Sequence, residues 1–168
     1  SPLSFDISGL WGASVSEIFS VGKYGLTLFY DGTSWQTLDS PPGLLMLSGV
    51  WGSDAENVFA VGNNGTIIHY DGIMWEKVGS VPTINNLNAV WGSSASDIFA
   101  VGNNGTILHY DGSGWKSMSG PTAFDLTCIW GSSDEDIFAA GEINTVIHYD
   151  GSSWEEISVS LPEAIDVY

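Results

Sequence analysis

Twenty aspartates and glutamates, three histidines and one cysteine are the residues of this chain that could carry chemistry, and no arginine accompanies them. A pair of carboxylates at a fixed separation would suit glycoside hydrolysis. With twenty acids some pair always falls at a suitable distance, so the count selects nothing. His69, His109 and His148 could ligate a metal. They recur at one equivalent place of a repeat, however, with Phe29 at the same place in the first unit. Equivalent places in separate units lie apart, so we read these histidines as core or inter-unit residues. Asp54/Glu56 and Asp134-Glu135-Asp136 lack the spaced carboxylates of a calcium loop and read as solvated turn acids. No glycine-rich loop carries a lysine to cradle phosphate. Cys128, the single thiol, allows no intrachain disulfide and reads as a small buried residue. The expectation is a chain that is not an enzyme, with no catalytic residue, no metal site and no cofactor.

Charge narrows the partners. The 168 residues carry a formal net charge of −17, with Lys23, Lys77 and Lys116 as the only basic side chains. Nucleic-acid binding needs a cationic patch to displace counterions from phosphates, and three scattered lysines do not form one. Anionic membrane surfaces are excluded on the same ground. No apolar run reaches the ~18 residues of a membrane span. The acidity suits an exported protein, placed outside the cell or at its surface. With 43% hydrophobic residues and eight tryptophans, the chain has the material for a core.

The elements that position these residues are repeats. Trp-Gly recurs at Trp11, Trp51, Trp91 and Trp130, at intervals of 40, 40 and 39. A second tryptophan follows each after 24 residues, at Trp35, Trp75, Trp115 and Trp154. Pro2, Pro42, Pro82 and Pro121 stand nine residues before each Trp-Gly. One repeat domain over 1–168 therefore holds units near 2–41, 42–81, 82–120 and 121–161, with a tail at 162–168. In the third unit, 87–91 alternates with period two and 92–96 breaks it. Runs at 98–101, 106–110 and 115–118 follow, separated by Gly-Asn-Asn-Gly and Asp-Gly-Ser-Gly turns. This predicts a four-stranded antiparallel meander in each unit. Asn64-Gly65 and Asn104-Gly105 form the favoured left-handed hairpin pair. They also explain the Asn-Gly-Thr glycosylation sequons. Tyr24-Gly25 and Ile143-Asn144 occupy the same place in the outer units.

Four strands in about 40 residues, repeated, predict the blades of an all-β propeller. A sheet with large apolar side chains on both faces must be covered by its neighbours. Two tryptophans per unit supply the filling, each burying ~150–250 Å², worth up to about 4–6 kcal/mol. Small residues at Ser8/Gly9, Ser48/Gly49, Asn88/Ala89 and Thr127/Cys128 suit a crowded innermost strand.

The turn Tyr-Asp-Gly-x-x-Trp recurs at 30–35, 70–75, 110–115 and 149–154. It resembles the Asp-box (BNR-like) propellers, in which an Asp-x-Gly-x-x-Trp pattern joins the third and fourth strands. Phe-Ala-Val-Gly at 59–62 and 99–102, followed by a glycine turn, is similar to the photosystem-assembly-factor type of that superfamily. Trp-Gly-Ser-Ser at 91–94 and 130–133 resembles propeller repeats of environmental and predatory bacteria. The resemblance spans essentially the whole chain. Here Asp is followed directly by Gly, one residue tighter than the sialidase pattern. The sialidases of this superfamily grip substrate with arginines, which this chain lacks. Asp31, Asp71, Asp111 and Asp150 are expected to accept hydrogen bonds from the backbone of their own turns. A turn requirement is copied with the turn, whereas a catalytic constellation is asymmetric.

Differences between units mark a candidate contact surface. The loop leading into each unit carries Phe5, Leu45, Asn85 or Phe124 at one place and Asp6, Met46, Asn86 or Asp125 at the next. We expect Phe5, Leu45, Met46 and Phe124 to share one rim with Asn63, Asn64, Asn103 and Asn104 of the hairpins. An exposed apolar patch of this kind suits a partner. The expectation is a binding or interaction module with a protein or glycan partner. A lectin is the alternative and a glycoside hydrolase a distant one. Ile73-Met74 is a further exposed oddity on the opposite rim. Three arrangements stay open: a four-bladed ring, a homodimer completing an eight-bladed ring, or a part of a longer array. The tail is a candidate to pair across the seam.

Overall fold

The computed structural model describes residues 5–159; Pro2 and the tail at 162–168 lie outside them. Among the described residues sixteen strands form four antiparallel four-stranded sheets, each a simple meander. The first blade is β1 (Ile7–Ser14), β2 (Glu17–Gly22), β3 (Thr27–Tyr30) and β4 (Trp35–Thr37). The second is β5 (Leu47–Asp54), β6 (Asn57–Gly62), β7 (Thr66–Tyr70) and β8 (Trp75–Lys77). The third is β9 (Leu87–Ser94), β10 (Asp97–Gly102), β11 (Ile107–Tyr110) and β12 (Trp115–Met118). The fourth is β13 (Leu126–Ser133), β14 (Asp136–Gly141), β15 (Val146–Tyr149) and β16 (Trp154–Glu156).

The first strand of each blade is longer than the pattern predicts. Residues 92–96 read as a break, yet β9 continues to Ser94, where it pairs with Asp97 across a two-residue turn. Backbone pairing there is indifferent to the loss of apolar alternation. The register shift between Asp97 and Ile98 absorbs the extra residue as a bulge.

No sheet owns a core. The buried apolar residues form three clusters, and each lies between two consecutive blades. Phe19 and Val21 of blade one pack with Leu47, Val50, Val58, Ile68 and Trp75 of blade two. Phe59, Val61 and Ile67 repeat this against Leu87, Val90, Ile98 and Trp115, and Phe99, Val101 and Ile107 against Leu126, Ile137, Ile147 and Trp154. Each blade therefore has a front face toward the blade before it and a back face toward the blade after it.

The Trp-Gly dipeptide has a mechanical role at each junction. A β-carbon added at Gly52 would stand 2.8 Å from Cη2 of Trp11, and one at Gly131 would stand 2.6 Å from Cη2 of Trp91. The tryptophan of one blade thus rests on the glycine of the next, and the dipeptide recurs because each unit supplies both halves. The second tryptophan completes the junction from the other side. Trp75, Trp115 and Trp154 meet Phe19, Phe59 and Phe99 of the preceding blade near-perpendicularly, at 6.3, 6.1 and 6.3 Å between centroids.

Three of the expected burials fail, for one reason. Trp35 is 48% exposed, against 4%, 7% and 6% for its equivalents, and Trp130 is 60% exposed. Cys128 is exposed as well, not buried. Trp35 lies on the front of blade one, and Trp130 and Cys128 lie on the back of blade four. The three apolar clusters join blades one to two, two to three and three to four; none joins four to one. Among the described residues the four blades form an open arc, not a closed ring.

Candidate interaction surface

The rim that carries the lead-in loops is built by the β2–β3 type hairpins. Tyr24, Asn64 and Asn104 have φ of 60°, 55° and 55°, followed by Gly25, Gly65 and Gly105 at 73°, 65° and 65°. This left-handed pair turns the hairpin N–H groups outward, away from the ladder. They bond two loops at once. Lys23 N–H donates to the Asp6 carbonyl of its own blade at 3.0 Å, and Tyr24 N–H donates to the Leu45 carbonyl of the next at 2.6 Å. In the second hairpin, Asn63 N–H reaches the Met46 carbonyl at 3.1 Å and Gly65 N–H the Asn85 carbonyl at 2.8 Å. In the third, Asn103 N–H reaches the Asn86 carbonyl and Gly105 N–H the Phe124 carbonyl, both at 2.9 Å. A β-carbon at Gly65 or Gly105 would stand 2.1 Å from the carbonyl oxygen of Thr83 or Thr122. Glycine there lets the next loop lie on the hairpin. Among the described residues the fourth hairpin bonds a loop only through Glu142 N–H, to the Asp125 carbonyl of its own blade at 2.9 Å. It carries Ile143 and Asn144 at positive φ.

The sequence-selected residues divide on this frame. Phe5 and Leu45 are exposed on the two loops that bond the first hairpin, and Met46 is half-buried; Phe124 is exposed on the loop of blade four. The expected single apolar surface is therefore two patches, separated by the polar loop of blade three. Asn64 and Asn104 are exposed, and their N–H groups are held by Asn86 Oδ1 at 3.0 Å and Asp125 Oδ1 at 2.7 Å. Asn63 and Asn103 are half-buried, and the Asn103 amide oxygen accepts from Asn88 Nδ2 at 2.9 Å. Tyr24, not singled out from sequence, belongs to the first patch. Its ring lies edge-on to Phe5 at 6.4 Å and beneath the Lys23 ammonium at 5.3 Å. The signal was there: the first hairpin reads Lys-Tyr-Gly where the next two read Asn-Asn-Gly.

The opposite rim holds the acidic turns. The Oδ1 atoms of Asp31, Asp71 and Asp150 each accept two turn N–H groups, from Thr33 and Ser34, Ile73 and Met74, and Ser152 and Ser153, at 2.8–2.9 Å. Asp111 accepts from Ser113 and pairs with Lys116. These bonds favour the ionised form and hold all four carboxyls below the ordinary range, Asp150 at about 2. Ile73 and Met74 are exposed on this rim.

The histidines stack on the phenylalanine across the strand pair, His69 on Phe59 and His109 on Phe99 at 4.3 Å, and His148 on Phe138 at 4.5 Å. Each Nε2 is tied within its own blade, to Asn57 Oδ1 at 2.5 Å, Asp97 Oδ1 at 2.6 Å and Asp136 Oδ1 at 2.8 Å. Burial keeps the His69 imidazole below its ordinary pKa. The Asp136 carboxyl is lowered by its Ser132 and His148 bonds. The three rings stay on separate blades, and among the described residues no three metal-ligating side chains converge.

No family model and no curated protein sequence matches this chain. Solved structures do. YCF48 bound to D1 peptide superposes with a TM-score of 0.72 at 15% identity, over 95% of this chain and 55% of that one. YCF48 from Cyanidioschyzon merolae gives 0.71 at 16% identity, over 96% and 58%. U3-55K gives 0.68 at 12% identity, over 93% and 66%. The four sheets are blades of a β-propeller. The chain spans between about half and two thirds of the length of these neighbours. At such identities the likeness establishes fold, and function is argued from residues.

Proposed function

We propose that this chain is a non-enzymatic protein-interaction module that presents the first patch of its lead-in rim, outside the cell or at its surface. The observation that carries the reading is the cluster of Phe5, Tyr24 and Leu45. Three large apolar side chains stand in solvent on a backbone fixed by hydrogen bonds between two blades. Side chains ordered before binding lose little entropy on contact, and aromatic groups on such a base are the usual anchors of protein interfaces. A fold neighbour, YCF48, is bound to a peptide, which makes a peptide segment a reasonable ligand class to test. Placement outside the cell rests on the acidity of the chain, and kinship with Asp-box propellers rests on the four Tyr-Asp-Gly-x-x-Trp turns.

The test is selection from a displayed peptide library. Peptides enriched by the native chain should be lost when Leu45→Asn and Met46→Asn give blade two the loop of blade three. Equal thermal midpoints would show that the variant stays folded. Enrichment that survives the double substitution would overturn the assignment to this patch. Binding on a glycan array at equivalent sites of several blades would overturn the protein-partner reading in favour of a lectin.

A further inference from the structure

The two ends of the arc form a matched pair. We propose that they are mated in trans by a second copy of this chain, blade four of one copy stacking on blade one of the other, so that two copies close an eight-bladed ring. The inference is independent of what the rim binds.

The argument is residue by residue. On the front of blade one, Ile7 and Leu10 are 61% and 65% exposed, whereas their equivalents Leu47, Leu87 and Leu126 are fully buried and Val50 and Val90 nearly so. With Leu28 and Trp35 they line an apolar hollow. On the back of blade four, Trp130 and Phe138 stand where Trp11, Trp51 and Trp91 and the buried Phe19, Phe59 and Phe99 stand in the other blades. Among the described residues Gly12 is the one Trp-Gly glycine with no tryptophan upon it, since its nearest neighbours are Ile18, Ser14 and Glu17 of its own blade. Trp130 is, among the described residues, the one Trp-Gly tryptophan with no glycine beneath it. Each end holds the half that the other lacks.

Composition agrees. None of these side chains is acidic, in a chain of net charge −17. The centres of both faces have the composition of interface cores, where charged residues are depleted. His148, Asp136 and Glu155 stand beside Phe138 on the blade-four face, as His109, Asp97 and Lys116 stand beside Phe99 on blade three at the third internal junction. The docked contact continues the three internal junctions and is head-to-tail, which closes when the rotation per blade permits. The rim clasp is not repeated. Asn144 carries a β-carbon where Gly25, Gly65 and Gly105 have none, so the sheet faces alone form this seam.

The experiment reads the native mass of the 168-residue chain. The native chain should run at twice its 17.9 kDa. Trp130→Ser and Leu10→Lys alter exposed side chains at opposite ends, and each alone should halve the mass without changing the circular dichroism spectrum. Mixed, the two variants should recover the doubled mass, because the intact end of one fits the intact end of the other. Cys128, open in a single copy, should react slowly with a maleimide in the native assembly and quickly in either variant. A native chain at single mass up to its solubility limit would overturn the proposal and leave these faces to further blades of a longer protein. Doubled mass in both variants would move the contact elsewhere. A mixture that stays at single mass would refute the head-to-tail arrangement, and a ladder of larger species would refute closure by two copies.

Discussion

Gly92 has no room for a β-carbon because Trp51 occupies the place. An added methyl would stand 2.7 Å from the indole Cη2 and 2.8 Å from the Asp97 carbonyl oxygen of its own hairpin. Backbone on one side and a packed ring on the other leave nothing to yield. Gly92→Ala should therefore lower stability by about 1–3 kcal/mol, the usual cost of overpacking. Gly114→Ala, with nothing within 4 Å, should stay within about 0.5 kcal/mol. Urea unfolding of both variants checks the contrast, and equal midpoints would contradict the packing described.

Phe99 and Phe138 occupy the same place in consecutive blades, yet among the described residues only Phe99 has a blade stacked on it. Phe99, at 1% exposure, is enclosed by Tyr149 and Trp154. Phe99→Ala should cost about 3–5 kcal/mol, and Phe138→Ala distinctly less in the single chain. Thermal or urea unfolding at dilution, below any association, measures the difference.

The Asp150 carboxyl should titrate near 2 by carbon-detected NMR, because Ser152 and Ser153 hold it ionised. A folded pKa below the unfolded value means that its contribution is complete above about 4 and is lost as pH falls toward the folded value. Asp31, Asp71 and Asp111 shift the same way. Acid should therefore loosen the β3–β4 type turns while the apolar junctions persist. An ordinary carboxylate pKa at 150 would refute the bond geometry.

His69 should titrate below an ordinary histidine, since burial against Phe59 disfavours the imidazolium and its partner Asn57 is neutral. The sign follows: its neutral form is accommodated without penalty above about 6.5, and stability declines as pH falls below that toward the folded pKa. Asn57→Asp, which sets a carboxylate against the ring as Asp97 and Asp136 do in the next two blades, should raise the His69 pKa in an NMR titration.

Self-association through the end faces should tighten with salt. Two molecules of charge −17 repel at long range, and the Debye length falls to ≈ 8 Å at physiological ionic strength. The apolar contacts at the centre of the seam, made by Ile7, Leu10, Trp130 and Phe138, lose nothing to screening. Sedimentation across a salt series checks this, and dissociation on adding salt would contradict an apolar seam.

The blades were legible in the sequence because their determinants are local or periodic. The tryptophan spacing marks the units, and the hairpin pairs announce their positive φ, down to Asn144 in place of glycine. What escaped was information held by a neighbour. Whether Trp35, Trp130 or Cys128 is buried depends on a sheet existing on the far side, and no pattern within a unit reports that. The continuation of β9 through Gly92-Ser93-Ser94 escaped because backbone pairing carries it, not side chains. At the rim, Phe5, Leu45 and Phe124 stood out by comparing units. Tyr24 did not, because its exposure comes from a hairpin whose other copies carry short polar side chains.

The placement of every core between sheets and never within one bears on how such a molecule grows. A single forty-residue segment has no interior, so the smallest inheritable piece with anything to gain from folding is a pair. Each later duplication adds one sheet and one complete seam, and leaves the terminal surfaces as hungry as before. Lengthening thus comes ready-made from copying, whereas stopping requires an invention: a cap, a partner, or a closed circle.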